Sequence, residues 1–236
     1  MVRLYEADRA FPPDRFAGAT QPSSTKKETQ YRITGRHGLG HGLSIEYDLR
    51  AGSVQTIHDK HNKPIGSRST GLEDQVVGLN FGLRQSRHFA DSVTFNIVFP
   101  TGSSTRVPAL GTGHWAVEPD YQLGIAHGPV TATLLTGPRV FPDGGATQLR
   151  AMLWVGAAVS PRIRVAGTVF YVRTVAGRSP VPATDQAERY NLLRLGAGIG
   201  YKVRRNVKPF LIYEVNAAGK NIHAGHRFTL GISFRY

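Results

Sequence analysis

Apolar and polar residues take turns along this chain in segment after segment, the period of two that a β-strand imposes when its two faces meet different surroundings. Phe228, Leu230, Ile232, Phe234 and Tyr236 alternate with Arg227, Thr229, Gly231, Ser233 and Arg235. Leu193, Leu195, Ala197, Ile199, Tyr201 and Val203 alternate with Arg194, Gly196, Gly198, Gly200, Lys202 and Arg204. Leu149 to Ala157, Val93 to Phe99 and Leu43 to Leu49 repeat the pattern. It predicts strands over 2–10, 26–38, 42–54, 72–84, 91–100, 114–126, 130–141, 147–159, 162–174, 189–204, 207–217 and 225–236. The longest apolar run, Ala151 to Val159, is too short to cross a bilayer as a helix. The chain has no cysteine, so a disulfide scaffold is excluded.

The connections alternate too. Short ones fall at Gly38–His41, Gln85–His88, His127–Gly128, Ser160–Pro161 and Arg205–Asn206. Between them lie mostly longer ones at 11–25, 55–71, 101–113, 142–146, 175–188 and 218–224, rich in Pro, Gly, Ser, Asp and Lys. Tight turns at one rim and long loops at the other describe an all-β, up-and-down antiparallel transmembrane β-barrel. If the last strand ends at the tight-turn rim, segment 26–38 runs towards that rim, and something must run the other way before it. Only 2–10 is available, although its alternation is poor, and the count becomes twelve. The reading is one barrel domain over 1–236, in the outer membrane of a Gram-negative bacterium.

A soluble lipocalin-like cup is the competing architecture, with apolar residues inside and about eight strands. The outward apolar set here ends in aromatics, as a membrane-interface girdle does: Tyr47, Phe99, Trp115, Tyr121, Tyr171, Tyr201, Tyr213, Phe234 and Tyr236. The opposite face is too charged and too rich in glycine to fill a dry core. At the chain end, Thr229, Gly231, Phe234 and Tyr236 occupy the polar, glycine, hydrophobic and terminal-aromatic positions of the assembly signal of bacterial outer-membrane barrels. The barrel-assembly machinery, membrane lipid and lipopolysaccharide are therefore the expected partners. Met1-Val2-Arg3-Leu4 opens without a basic stretch leading into an apolar one, so no signal peptide is expected in this sequence.

The formal net charge is +13, with 29 Lys and Arg against 16 Asp and Glu. Nucleic acid would call for basic blocks or a stacking module. The bases are instead spread thinly, and only Lys26-Lys27 and Arg204-Arg205 are adjacent. An anionic solute or surface is the better partner for this charge.

Three segments carry a family resemblance. Gly71-Leu72-Glu73-Asp74-Gln75-Val76-Val77-Gly78-Leu79-Asn80-Phe81-Gly82-Leu83 resembles the glycine-rich turn and following strand of phenol-degradation-pathway outer-membrane transporters, with Glu73 where glycine is usual. Phe99-Pro100-Thr101-Gly102-Ser103 with Gly111-Thr112-Gly113 resembles their next loop, and Ala218-Gly219-Lys220-Asn221 is similar to the turn before their last strand. The resemblance implies an outer-membrane barrel that acts as a channel; it does not imply a particular solute.

By the alternation, Arg32, Arg36, Arg50, Arg84, Arg139, Arg150, Arg164, Arg194, Lys202, Arg204, Arg227 and Arg235 should point into the lumen, with Glu46, Asp48, Asp74, Glu118, Asp120 and Glu214. Some of these charges should pair, and the excess of bases should favour anions in a pore. Arg32, Arg50, Arg150 and Arg194 lie deepest inside their strands. The sequence thus predicts a passive, anion-preferring channel for small solutes, with no cofactor. The alternative is a plugged structural barrel that anchors a protein partner or an exported polymer, its lumen filled by 11–25. An outer-membrane hydrolase would need a Ser/His or Asp/His pair at the outer rim, for which His114 with Glu118 and Asp120, or His223 and His226, are candidates. His37 with His41, and His58 with His61, read as exposed turn and loop residues with no third ligand near in sequence, so no metal site is expected.

Overall fold

The structure, a computed structural model, describes residues 1–12, 15–19, 21–58, 64–143, 146–177 and 190–234, with only the backbone of 21–24, 58, 64 and 65. Its strands are β1 (Val2–Ala10), β2 (Gln21–Gly40), β3 (Leu43–His58), β4 (Pro64–Leu72), β5 (Gln75–Gln85), β6 (Phe89–Phe99) and β7 (Ala116–His127). They continue with β8 (Val130–Arg139), β9 (Thr147–Ala158), β10 (Ile163–Ala176), β11 (Asn191–Tyr201), β12 (Val207–Lys220) and β13 (His223–Phe234). The strands pair antiparallel throughout the described residues, and the wall closes through β1, which pairs with β13 on one side and β2 on the other. The poorly alternating first segment is the closing strand.

The fourth wall position is broken. β3 pairs with β5 along Leu43–Asp48 and with β4 along Ala51–His58, so β4 and β5 are two halves of one strand. The barrel accordingly has twelve wall positions. The Gln75 side chain bridges the break. Its Oε1 accepts from the Arg50 backbone N–H at 2.7 Å, and its Nε2 donates to the carbonyls of Arg50 at 2.7 Å and Glu73 at 2.6 Å. A side-chain amide thus replaces the missing ladder contacts. Gln75→Ala should lower stability by about 1–3 kcal/mol, the cost of stranding such groups in a wall. Urea unfolding in lipid vesicles, followed by tryptophan fluorescence, measures it.

The alternating apolar residues face out. Leu79, Phe95, Ile97, Leu153, Val169, Leu195, Leu211 and Leu230 are all exposed. An uncharged apolar surface of this extent is tolerable only against lipid. Phe99, Trp115 and Tyr171 mark its loop end, and Tyr201 and Phe234 its tight-turn end. Among the described residues no helix is long and apolar enough to cross a membrane.

β2 runs for 20 residues and β3 for 16, well beyond the ~9–11 that a tilted strand needs to cross, so with β4 they rise past the bilayer as a tall lip. Segments expected as loops, 21–25, 55–58 and 64–71, are therefore strand. At the same rim, Phe11 tucks in, 2% exposed, against Val172, Leu192 and Ala224, with its ring over Gly219. A Cβ at Gly219 would come within 2.4 Å of that ring, so the glycine makes the seat. Asp74 caps the rim from below: its carboxylate accepts from the backbone N–H groups of Gly102 and Thr112 and from the Thr112 hydroxyl. It was expected in the lumen; at the strand break it anchors the 100–115 loop instead.

Candidate functional site: the lumen belt

A cavity of about 540 Å³ occupies the middle of the barrel. Strand alternation supplies its lining, because the neighbours of each lipid-facing residue must point inward. Eight guanidiniums border it: Arg3, Arg32, Arg36, Arg50, Arg139, Arg150, Arg194 and Arg227. Five carboxylates accompany them: Glu46, Asp48, Glu118, Asp120 and Glu214. The belt is therefore cationic.

Its charges are grouped by wall. On β2 and β3, Asp48 sits between two bases. Arg32 donates through Nε at 2.5 Å, and Arg50 through Nε at 2.9 Å with a second, short contact from Nη2. Lower on the same wall Arg36 pairs with Glu46, and its Nη2 reaches 3.0 Å to Gln122 Oε1 of β7. On β7 to β9, Glu118 Oε1 takes a short contact from Arg139 Nε and lies 2.7 Å from Arg150 Nη1. Glu118 is 3% exposed. Beside it, Asp120 accepts from Asn96 Nδ2 at 3.1 Å through one oxygen, while its Oδ1 is buried without a partner. On the third wall, formed by β1 and β11 to β13, Arg3, Arg194 and Arg227 accompany Glu214 alone.

Towards the tight-turn rim the lining changes character. A second space of about 540 Å³ is bordered by Trp154, Ala166, Gly198, Gly200, Phe210 and Ile212, with Arg162, Arg164, Lys202 and Lys208 among its polar neighbours. The sequence predicts an inward face too charged and too rich in glycine to fill a dry core, yet here it carries an apolar patch. Glycine is the reason it forms: Trp154 lies along Gly156 and Phe210 along Gly231, each in space that a Cβ would fill. Gly231 of the C-terminal signal thus seats an inward ring. Thr229 beside it is 2% exposed, and Phe234 faces lipid at 67% exposure.

Besides Asp74, two expected lumen residues, Arg84 and Arg204, are elsewhere. A register shift between Gly82 and Arg84 places a bulge at Leu83, and Arg84 then faces Asp91 rather than Ser92. Arg84 Nη2 lies 2.7 Å from Asp91 Oδ2, which also accepts from the Tyr121 hydroxyl at 3.0 Å, and its guanidinium covers the Phe89 ring. Tyr121 belongs to the outward row with Leu123 and Ile125, so this trio lies on the outer wall near the tight-turn rim. Strict alternation fails at a bulge, because one extra residue turns the next side chain to the other face. Arg204 lies in the turn before β12, bridged to Val207, and not on a lumen strand. Tyr236 and Arg235 lie outside the described residues, as does His61 with the side chain of His58.

His114 does not join Glu118 and Asp120, which are engaged in the lumen; its Nδ1 pairs instead with Asp143 at the outer loops, an Asp/His pair of the kind the hydrolase alternative requires. His226 packs between Tyr213 and Phe228. Among the described residues no cluster of three metal-ligating side chains occurs. The alternation missed Arg3, because β1 alternates weakly, and Phe170 and Tyr190, whose inward position no charge marked. Asn96 and Gln148, also in the belt, were visible only as polar members of alternating strands.

These features match known barrels. An outer membrane channel from Pseudomonas putida F1 superimposes with a TM-score of 0.76 at 15% identity, over 100% of this chain and 94% of that one. The NanC porin gives 0.59 at 10% identity, over 100% of both chains, and the translocator domain of the autotransporter NalP from Neisseria meningitidis 0.53 at 11%, over 100% and 88%. At such identities the likeness establishes the outer-membrane barrel fold. No curated protein is detectably similar in sequence. The family model described as "Putative MetA-pathway of phenol degradation" matches residues 27–232, nearly the whole wall, and the chain belongs to that family.

Proposed function

We propose that this barrel is an outer-membrane channel for the passive, anion-preferring passage of small solutes. The observation that carries the reading is the belt of eight guanidiniums against five carboxylates around an internal cavity. In a narrow aqueous passage with low-dielectric walls, an unbalanced ring of fixed charge concentrates the counter-ion. Spread over three walls, the arginines offer several weak sites, so a solute can move on. The family description places relatives beside phenol degradation, which makes aromatic carboxylates natural test solutes alongside acetate.

The alternative of a plugged structural barrel has one observation in its favour, the Phe11 cluster at the loop rim. Liposome swelling separates the two. With valinomycin present to carry the potassium counter-ion, vesicles carrying the channel should swell faster than empty vesicles in potassium acetate or benzoate, and no faster than empty ones in the potassium salt of a large, excluded anion. Equal swelling in all media, or none above empty vesicles, would reject anion passage.

A further inference from the structure

The three walls of the belt are not equally balanced. Asp48 serves two bases on the first, and Glu118 with Asp120 faces two on the second. On the third, three guanidiniums share Glu214, and it serves them poorly: Arg227 Nη1 is 3.9 Å from its Oε2, at the edge of an ion pair. Arg227 Nε is buried with no hydrogen-bond partner. A buried guanidinium N–H left open is costly, and such a group marks where an acceptor fits.

Neutral groups hold the same three side chains in place. Arg194 Nε donates to Asn216 Oδ1 at 2.9 Å, and its guanidinium lies over Phe170 with the carbon 5.5 Å from the ring centre. Arg227 lies over Tyr5 at 5.6 Å. Arg3 reaches Gln30 Oε1 at 3.2 Å and Thr229 Oγ1 at 3.4 Å. Amides, hydroxyls and ring faces fix a guanidinium without neutralising it, so the forks are positioned and their charge is unspent. Register puts them side by side: Arg227 opposes Glu214 on β12, and Glu214 opposes Gly196 on β11, two residues from Arg194. Gly196 keeps that wall shallow.

We propose that Arg194 and Arg227, with Arg3 on the tight-turn side of Arg227, form a binding station for the carboxylate of a small organic acid, whose body lies along Phe170 and Tyr190. Planar guanidinium forks match a carboxylate by paired hydrogen bonds, which chloride does not reproduce. The inference rests on the anion-passage reading for its biological use, but binding at the station does not require conduction.

Equilibrium dialysis of the full chain in detergent micelles with radiolabelled benzoate tests it. Arg194→Gln and Arg227→Gln should each weaken binding about tenfold or more, the scale of a lost charged hydrogen bond. Arg227→Lys, which keeps the charge and loses the fork, should lose most of the same affinity. Arg150→Gln, on β9 two strands from Arg194 and paired with Glu118 rather than with the station, should cost no more than about threefold through the long-range field. Heat-modifiable gel mobility confirms that each variant is folded, and the lysine variant carries the test should a glutamine variant misfold. Equal weakening by the Arg150 and Arg194 variants, tighter binding of inorganic phosphate than of benzoate, or no benzoate binding by the wild type would overturn the station. If benzoate binds as described but no anion crosses vesicles, the channel reading fails and the station stands. If anions cross and the variants bind benzoate as the wild type does, the reverse holds.

Discussion

Glu118→Ala should destabilise the barrel by about 3 kcal/mol, the largest stability loss expected from any single lumen substitution. The carboxylate is 3% exposed, and both Arg139 and Arg150 converge on its Oε1. Removing it leaves two partly buried guanidiniums facing each other, and breaking a buried pair from one side costs far more than the pair itself is worth. The two arginines keep about a fifth of their side-chain exposure, which lets lumen water soften the loss and holds the figure at the low end of the usual range. Combining Glu118→Gln with Arg139→Met should recover most of the stability, since the repulsion is then removed with the attraction. Urea denaturation of the two variants in vesicles decides it; equal stabilities for the single and double variants would show that the cluster is not coupled.

The second large effect is on selectivity. Arg194→Glu combined with Arg227→Glu leaves six guanidiniums facing seven carboxylates around the cavity. Each unit charge within about 4 Å of a permeating ion is worth ~1 kcal/mol even in water. Four units of change should therefore lower the anion-to-cation permeability ratio by about tenfold or more and carry the channel into cation preference. The change should shrink as ionic strength rises, because screening shortens the reach of fixed charge to about 3 Å at 1 M.

Much of this was legible in the alternation because a barrel wall has two solvents, lipid and water, and the period of two records both. Loop parity placed β1 correctly despite its weak pattern, since an up-and-down wall needs a strand between β13 and β2. Arg32, Asp48, Arg50, Glu118, Asp120, Arg139, Arg150, Arg194 and Arg227 reach the lumen from strands whose alternation is unbroken there. What alternation could not supply were the places where the ladder changes phase. Leu83 carries no mark of the bulge that turns Arg84 outward. Gln75 looks like any polar strand residue, yet its amide stands in for backbone where β4 gives way to β5. The apolar patch around Trp154 and Phe210 was hidden for a related reason: small neighbours, Gly156 and Gly231, let large rings lie flat on the inward face. The seating of Phe11 depends on Gly219, more than two hundred residues away in sequence, and no local pattern encodes that contact.

The most direct test of the channel account is the zero-current potential of single wild-type barrels in a planar bilayer under a tenfold potassium chloride gradient. The account predicts a potential of the sign that chloride preference sets, falling towards zero as both solutions are made more concentrated. A potential of the opposite sign, or a barrel that carries no current at all, would contradict it.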